Sequence, residues 1–163
     1  MFFKSFWRKK EKQQDKKSVI VSDLDSFKYK TRIEMRFADL DMMGHVNNAV
    51  YFTYMEIGRT KYWKHAIDWN WKENGVIIRQ ASIDYLLPLF IEDKVSMYVR
   101  TSRIGNTSFD LEYLIVKDVN GKEVTCSHGK TVCVVYDYDS KIPVAIPDKE
   151  RQKMIAFEQL PNS

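Results

Sequence analysis

The sequence predicts an α+β fold in which one antiparallel sheet of five strands carries a single long helix, and three observations predict it. A strand-like alternation near the start is followed by one long stretch of helical spacing. Strand patterns then recur to the end of the chain. Asn-containing glycine turns sit between the last of these strands, where hairpins need them.

From Thr31 to Phe37, Ile33, Met35 and Phe37 alternate with Arg32, Glu34 and Arg36, the period of a half-buried strand. A polar turn over 39–48 leads into a segment where Tyr51, Tyr54, Met55, Gly58 and Tyr62 recur three and four apart. That spacing lines one helical face and predicts a helix from about Asn48 to about Ala66. Gly58 inside it costs about 1 kcal/mol relative to Ala, which fits a close approach by a neighbouring element. After Trp69 and Trp71, Gly75 opens a strand that runs to Leu87 and stops at Pro88. Val95, Met97 and Val99 mark the next strand, Phe109 to Ile115 the one after, and Val124 to Tyr136 a last long one. Gly105-Asn106 and Asn120-Gly121 turn these three into an antiparallel meander. Pro147 to about Phe157 reads as a closing helix, with Pro147 in its first turn and Asp148 and Glu150 suiting its N-terminus. One helix covers only one face of such a sheet, so self-association into an α+β dimer is the simplest physical solution.

With 163 residues, 44% of them hydrophobic and 29% charged, the chain suits one domain with one core. The net charge of +4 is uneven: residues 1–17 carry seven Lys and Arg against two acids, which leaves the rest near −1. A continuous basic face for nucleic acid is therefore not expected. The division is a flexible basic and aromatic tail over 1–27 and a single domain over 28–163. In the tail, Phe2, Phe3, Phe6 and Trp7 precede the cations, a composition that can touch an anionic membrane surface weakly through residues 2–17, or simply be a frayed terminus. No apolar run is long enough to span a bilayer or to form a signal-peptide core, and the two cysteines fit a reducing cytoplasm. Cys126 and Cys133 stand an odd number apart in one strand, which points them to opposite faces and against bridging.

The most informative stretch runs from Asp39 through Asp41, Met43, Gly44, His45 and Asn47 to Asn48. It gathers carboxylates, an imidazole and two carboxamides just before a helix whose first N–H groups have no intrahelical partner. Such donors, at the positive end of the helix dipole, can hold a developing oxyanion. An ionised Asp41 beside them can activate water as a base or attack as a nucleophile, and the residues leave both open. The same Asp and Asn residues also make good helix caps. Neither cysteine suits a nucleophile in mid-strand, His45, His65 and His128 lack metal-ligand spacing, and no glycine-rich phosphate loop occurs. No metal and no nucleotide or other cofactor is implied.

The runs Arg36-Phe37-Ala38-Asp39-Leu40-Asp41, Gly44-His45-Val46-Asn47-Asn48 and Tyr51-Phe52, with Glu56 and Arg59, resemble the hotdog-fold thioesterases of the 4-hydroxybenzoyl-CoA thioesterase-like group. That group includes acyl-CoA and acyl-ACP branches. The resemblance covers roughly residues 28–150 and implies a five-stranded antiparallel sheet wrapped around the long helix. It implies hydrolysis of an acyl thioester by a homodimer or homotetramer, acyl-CoA first and acyl-ACP as the alternative, in fatty acid metabolism. By position, Asp41 corresponds to the catalytic carboxylate, Asn48 or its neighbour Asn47 supplies the N–H that polarises the thioester carbonyl, and His45 matches a functional histidine of the plant-like branch. Met43 stands where that branch has Asn, a more apolar lining that can serve a fatty acyl chain or packing. Tyr51 is a further substrate-binding candidate, and Ser108 follows a turn that in the group approaches the partner's active site. Glu56 and Arg59, three apart on the helix, are expected to form an ion pair. Lys130 and Lys141 are available cations for nucleotide phosphates. A non-catalytic acyl-thioester-binding module of the same fold is the reading from another class.

Overall fold

A computed structural model of the chain describes residues 24–161. The tail features expected at residues 1–23 lie outside the described residues. Strand β1 (Tyr29–Ile33) is followed by helix α1 (Val50–Tyr62), strands β2 (Gly75–Tyr85), β3 (Val95–Ile104), β4 (Ser108–Val119) and β5 (Lys122–Asp137), a two-residue strand β6 (Ile142–Pro143) and helix α2 (Asp148–Glu158). All pairings are antiparallel, in the order β1-β3-β4-β5-β2, and β6 adds to the end of β5. The meander turns as expected: Asn120 and Gly121 both take positive φ, 55° and 80°, at the β4–β5 hairpin.

Helix α1 lies on the inner face of this curled sheet. Its buried side, Tyr51, Tyr54, Met55, Gly58 and Tyr62, is the face read from the sequence. Gly58 lets the helix sit directly on the sheet, because Met97 Sδ occupies the space a Cβ would need. Gly129 does the same for Met55, whose Sδ comes within 2.8 Å of where a Cβ would stand. After Tyr62 the helix widens into a π turn over Trp63–Ile67 and ends at Asp68, whose φ of 52° is left-handed. On the outer face, Phe27 joins Leu114 and Val116 in a smaller cluster, edge-on to Tyr98 at 6.1 Å and under Arg100 at 4.6 Å.

Three expectations need correction. The first strand stops at Ile33 rather than Phe37, and Phe37 is 85% exposed instead of facing inward. The cause is Asp39, whose carboxylate accepts the Arg36 N–H at 2.8 Å while its own N–H donates to the Arg36 carbonyl, coiling residues 37–39 into a 3₁₀ turn. Cys126 and Cys133 do not face opposite ways; both belong to the main core. A β-bulge explains this, since Ile115 pairs with Ser127 but Val116 with Thr125, leaving Cys126 as an extra residue that resets the alternation. The Glu56–Arg59 ion pair does not form: Glu56 faces solvent, and the Arg59 guanidinium sits 5.5 Å over the Trp63 ring.

Candidate functional site

The segment between β1 and α1 is built as a closed loop, with Asp39 as its staple. Asp39 is 1% exposed, and its carboxylate accepts the Arg36 N–H and the Tyr54 hydroxyl on one oxygen and the Arg36 guanidinium on the other, all at 2.8–3.1 Å. Its carbonyl accepts the Asn47 N–H at 2.9 Å, so one residue ties both ends of the loop to the helix. Burial works against its charge, but the Arg36 and Tyr54 donors outweigh it and hold its pKa below the usual carboxylate range. Burial, then the Asp39 contact, pushes the Tyr54 phenol up.

Inside the loop, Leu40 and Val46 form an isolated antiparallel bridge, and the Asp41 N–H donates to the His45 carbonyl at 2.7 Å. Asp41 Oδ1 accepts the N–H groups of Met43 at 2.8 Å and His45 at 3.1 Å. The turn between them needs Gly44, whose φ is +76° with nothing within 4 Å of a Cβ, so the demand is conformational rather than steric. Asp41 therefore does not cap the helix. Its Oδ2 carries no hydrogen bond among the described residues. The cap comes instead from Asn47, whose side-chain oxygen accepts the Ala49 N–H at 2.9 Å and whose carbonyl accepts the Val50 N–H at 2.9 Å. With the Asn47 N–H given to Asp39 and the Ala49 N–H to Asn47, the Asn48 N–H alone of the three has no acceptor among the described residues. Asn48 is exposed, so this donor at the start of α1 is open to an incoming group.

A second wall comes from residues 86–93, which sequence reasoning did not single out. The Leu89 carbonyl accepts the Val46 N–H at 2.9 Å, and Phe90 meets the His45 ring edge-on at 4.9 Å. Lys117, buried on β4, reaches the Pro88 carbonyl at 3.3 Å and Asp93 at 3.5 Å. Tyr85, at the end of β2, donates its hydroxyl to the Asn48 carbonyl at 2.9 Å and packs edge-on to Tyr51 at 5.0 Å. The only sequence signal for this wall was the strand stop at Pro88.

Of the expected site residues, Asp41, Met43, His45, Asn47 and Asn48 lie together in the loop. Met43 is 50% exposed beside the still more exposed Met42, an apolar rim to a polar site. Tyr51 is buried beneath the first turn of α1, where burial pushes its phenol up. Ser108 is not brought to this loop: it opens β4 at the end opposite Lys117, nine residues or ~30 Å along the strand. Lys130 is engaged with Asp110 at 2.9 Å. No group of three His, Cys, Asp or Glu among the described residues is placed to hold a metal ion. A carboxylate oxygen, an imidazole and an open N–H at a helix start can act together on a polarised carbonyl.

Comparison with known proteins places the chain in a family. The family described as the Thioesterase-like superfamily matches residues 35–154. The uncharacterised protein YsmA of Bacillus subtilis is 30% identical over 132 residues, 80% of this chain and 87% of that protein. The chloroplastic acyl-acyl carrier protein thioesterase ATL3 of Arabidopsis thaliana is 28% identical over 134 residues, 79% of this chain and 68% of that one. A thioesterase from Thermus thermophilus, crystallised with coenzyme A and Zn, superposes with a TM-score of 0.73 at 34% identity, covering 84% of this chain and 99% of that chain.

Proposed function

The chain belongs to the thioesterase-like superfamily, and from that premise we propose that it hydrolyses an acyl-CoA to the free carboxylic acid and coenzyme A, with Asp41 as the reacting carboxylate. One observation carries the reading: Asp41 is held through Oδ1 by its own loop while Oδ2 is left over, a short loop away from the open Asn48 N–H. In the base mechanism, Oδ2 takes a proton from water as the water oxygen attacks the thioester carbonyl. The oxyanion is received by the Asn48 N–H and the positive end of α1, and collapse expels the thiolate. In the nucleophile mechanism, Oδ2 attacks directly, the thiolate leaves, and water then opens the mixed anhydride. The proton that the thiolate gains is the one removed from water, passed on from Oδ2 in the base mechanism and from the hydrolysing water in the nucleophile mechanism, with His45, its ring braced by Phe90, placed in the same loop to relay it. Met43 rims the acyl group from the same loop, with Asn47 holding the helix start beside it.

The relatives support two carriers: one is an acyl carrier protein thioesterase and one was crystallised with coenzyme A. β2 is an open edge of eleven residues, most of them exposed, which supports pairing with a second copy and a homodimer or larger assembly. In such an assembly Ser108 would face another copy's site. Cytoplasmic residence, a self-contained domain over 28–163, and weak contact of residues 2–17 with anionic surfaces complete the reading.

The test is steady-state thiol release from short, long and aryl acyl-CoAs by the parent and Asp41→Asn. The expected result is turnover that peaks at one chain class and falls at least ~100-fold in the variant, the scale of losing a positioned acid–base group. Activity within a few-fold of the parent would sink the assignment of Asp41. Tight binding without turnover of either CoA or carrier-protein esters would make the chain a binding module.

A further inference from the structure

The first turn of α1 is wound more tightly than an α-helix: the Val50 N–H bonds the Asn47 carbonyl at 2.9 Å and the Phe52 N–H the Ala49 carbonyl at 3.2 Å. The Asn48 carbonyl between them is left for an outside donor, and the Tyr85 hydroxyl fills that place at 2.9 Å. Tyr85 is itself held firmly. Its ring meets Tyr51 at 90°, and the two residues after it, Leu86 and Leu87, both donate their N–H groups to the Cys126 carbonyl, at 2.9 and 3.0 Å. The carbonyl that receives them belongs to the bulged residue of β5. Burial pushes the Tyr85 pKa up, so the phenol remains a donor throughout the neutral range.

Asn48 joins two rigid peptide planes: its N–H shares one with the Asn47 carbonyl, and its own carbonyl shares the other with the Ala49 N–H, the two planes turning on its φ and ψ. The Val50 N–H on the Asn47 carbonyl holds the first plane and Tyr85 holds the second, so the φ and ψ of Asn48 cannot turn freely and the direction of its N–H is set by both bonds together. We propose that Tyr85 is a positioning residue for thioester hydrolysis: by holding the Asn48 carbonyl, it aims the Asn48 N–H at the oxyanion. This rests on the reading that the Asn48 N–H serves the oxyanion. Because the donor sits on the open edge strand, it also makes the geometry of the helix start depend on what lies along β2.

Tyr85→Phe removes the hydroxyl and keeps the ring on Tyr51, so folding and substrate contact are preserved. An N–H needed only as charge develops acts on kcat and not on ground-state binding. The expected result, with full-length protein and the best thioester of the panel, is kcat reduced about tenfold with KM within twofold of the parent, as one hydrogen bond's worth of alignment implies. Asp41→Asn is assayed beside it. A kcat within twofold of the parent, or an unchanged kcat with a raised KM, overturns the proposal while leaving the hydrolase reading intact. If the parent releases thiol from none of the esters, both fall. If Asp41→Asn stays active while Tyr85→Phe shows the kcat loss, the role of Tyr85 stands and that of Asp41 does not.

Discussion

Asp39 shows how much a single carboxylate can organise. It closes the loop, ends β1 and reaches α1 through Tyr54, all from a site that is 1% exposed. Its pKa lies below the 3.8 of a free aspartate, so the folded chain releases this proton more readily than the unfolded one. The stabilisation is complete above pH ~4 and is lost as pH falls through the folded value. Asp39→Ala leaves the Tyr54 hydroxyl and the Arg36 N–H without their acceptor, and a cost of about 2 kcal/mol at pH 7 is expected from urea unfolding. Asp39→Asn is expected to flatten the acid side of a melting-temperature profile, because no proton is then taken up at this position. A slope equal to the parent's would assign acid sensitivity elsewhere, for instance to Asp110, which Arg103 and Lys130 also hold below the usual range against the opposing effect of burial. The residue pattern made the loop conspicuous because polar side chains cluster there without periodicity. It did not separate the two aspartates, since the staple and the open carboxylate differ only in which donors the fold brings to them.

At the scale of elements, α1 was legible because five residues of one face repeat at helical spacing and all five are buried. The closeness of helix to sheet at Gly58 followed from the same pattern. Gly58→Val would drive branched carbons into the space held by Met97 Sδ and the Val99 methyl, and a loss of about 3 kcal/mol in urea unfolding is expected. A loss under about 1 kcal/mol would mean that Met97 can swing aside. The irregular features were not legible. A bulge at Cys126 has no periodic signature in its own strand, because it is defined by two residues opposing one on the partner. The alternation runs past the end of β1 at Ile33 up to Phe37, the first residue of the 3₁₀ turn over 37–39, so nothing in it marks where the hydrogen bonds of Asp39 take over.

For the whole molecule, the decisive feature is the open edge of β2. A long exposed strand with one free side invites pairing, and pairing with a copy of itself satisfies its free N–H and C=O groups. The double substitution Ile78→Lys with Ala81→Lys is expected to yield a species with the mass of one chain by light scattering and to lower thioester turnover with it, because Tyr85 shares that strand. A dimer that survives both charges would place the contact on another surface. The strand order carries a separate consequence for how the chain reaches this state. β3, β4 and β5 are joined by tight hairpins and can form as soon as they are made, whereas Tyr85 must wait for Ser127, and Gly75 for Tyr136, before β2 is paired. Closing that long loop is entropically slow compared with the hairpins. During synthesis the strand that bears Tyr85 is therefore complete but unpaired until most of the domain has emerged, which leaves its eleven residues open to premature association with a neighbouring nascent chain.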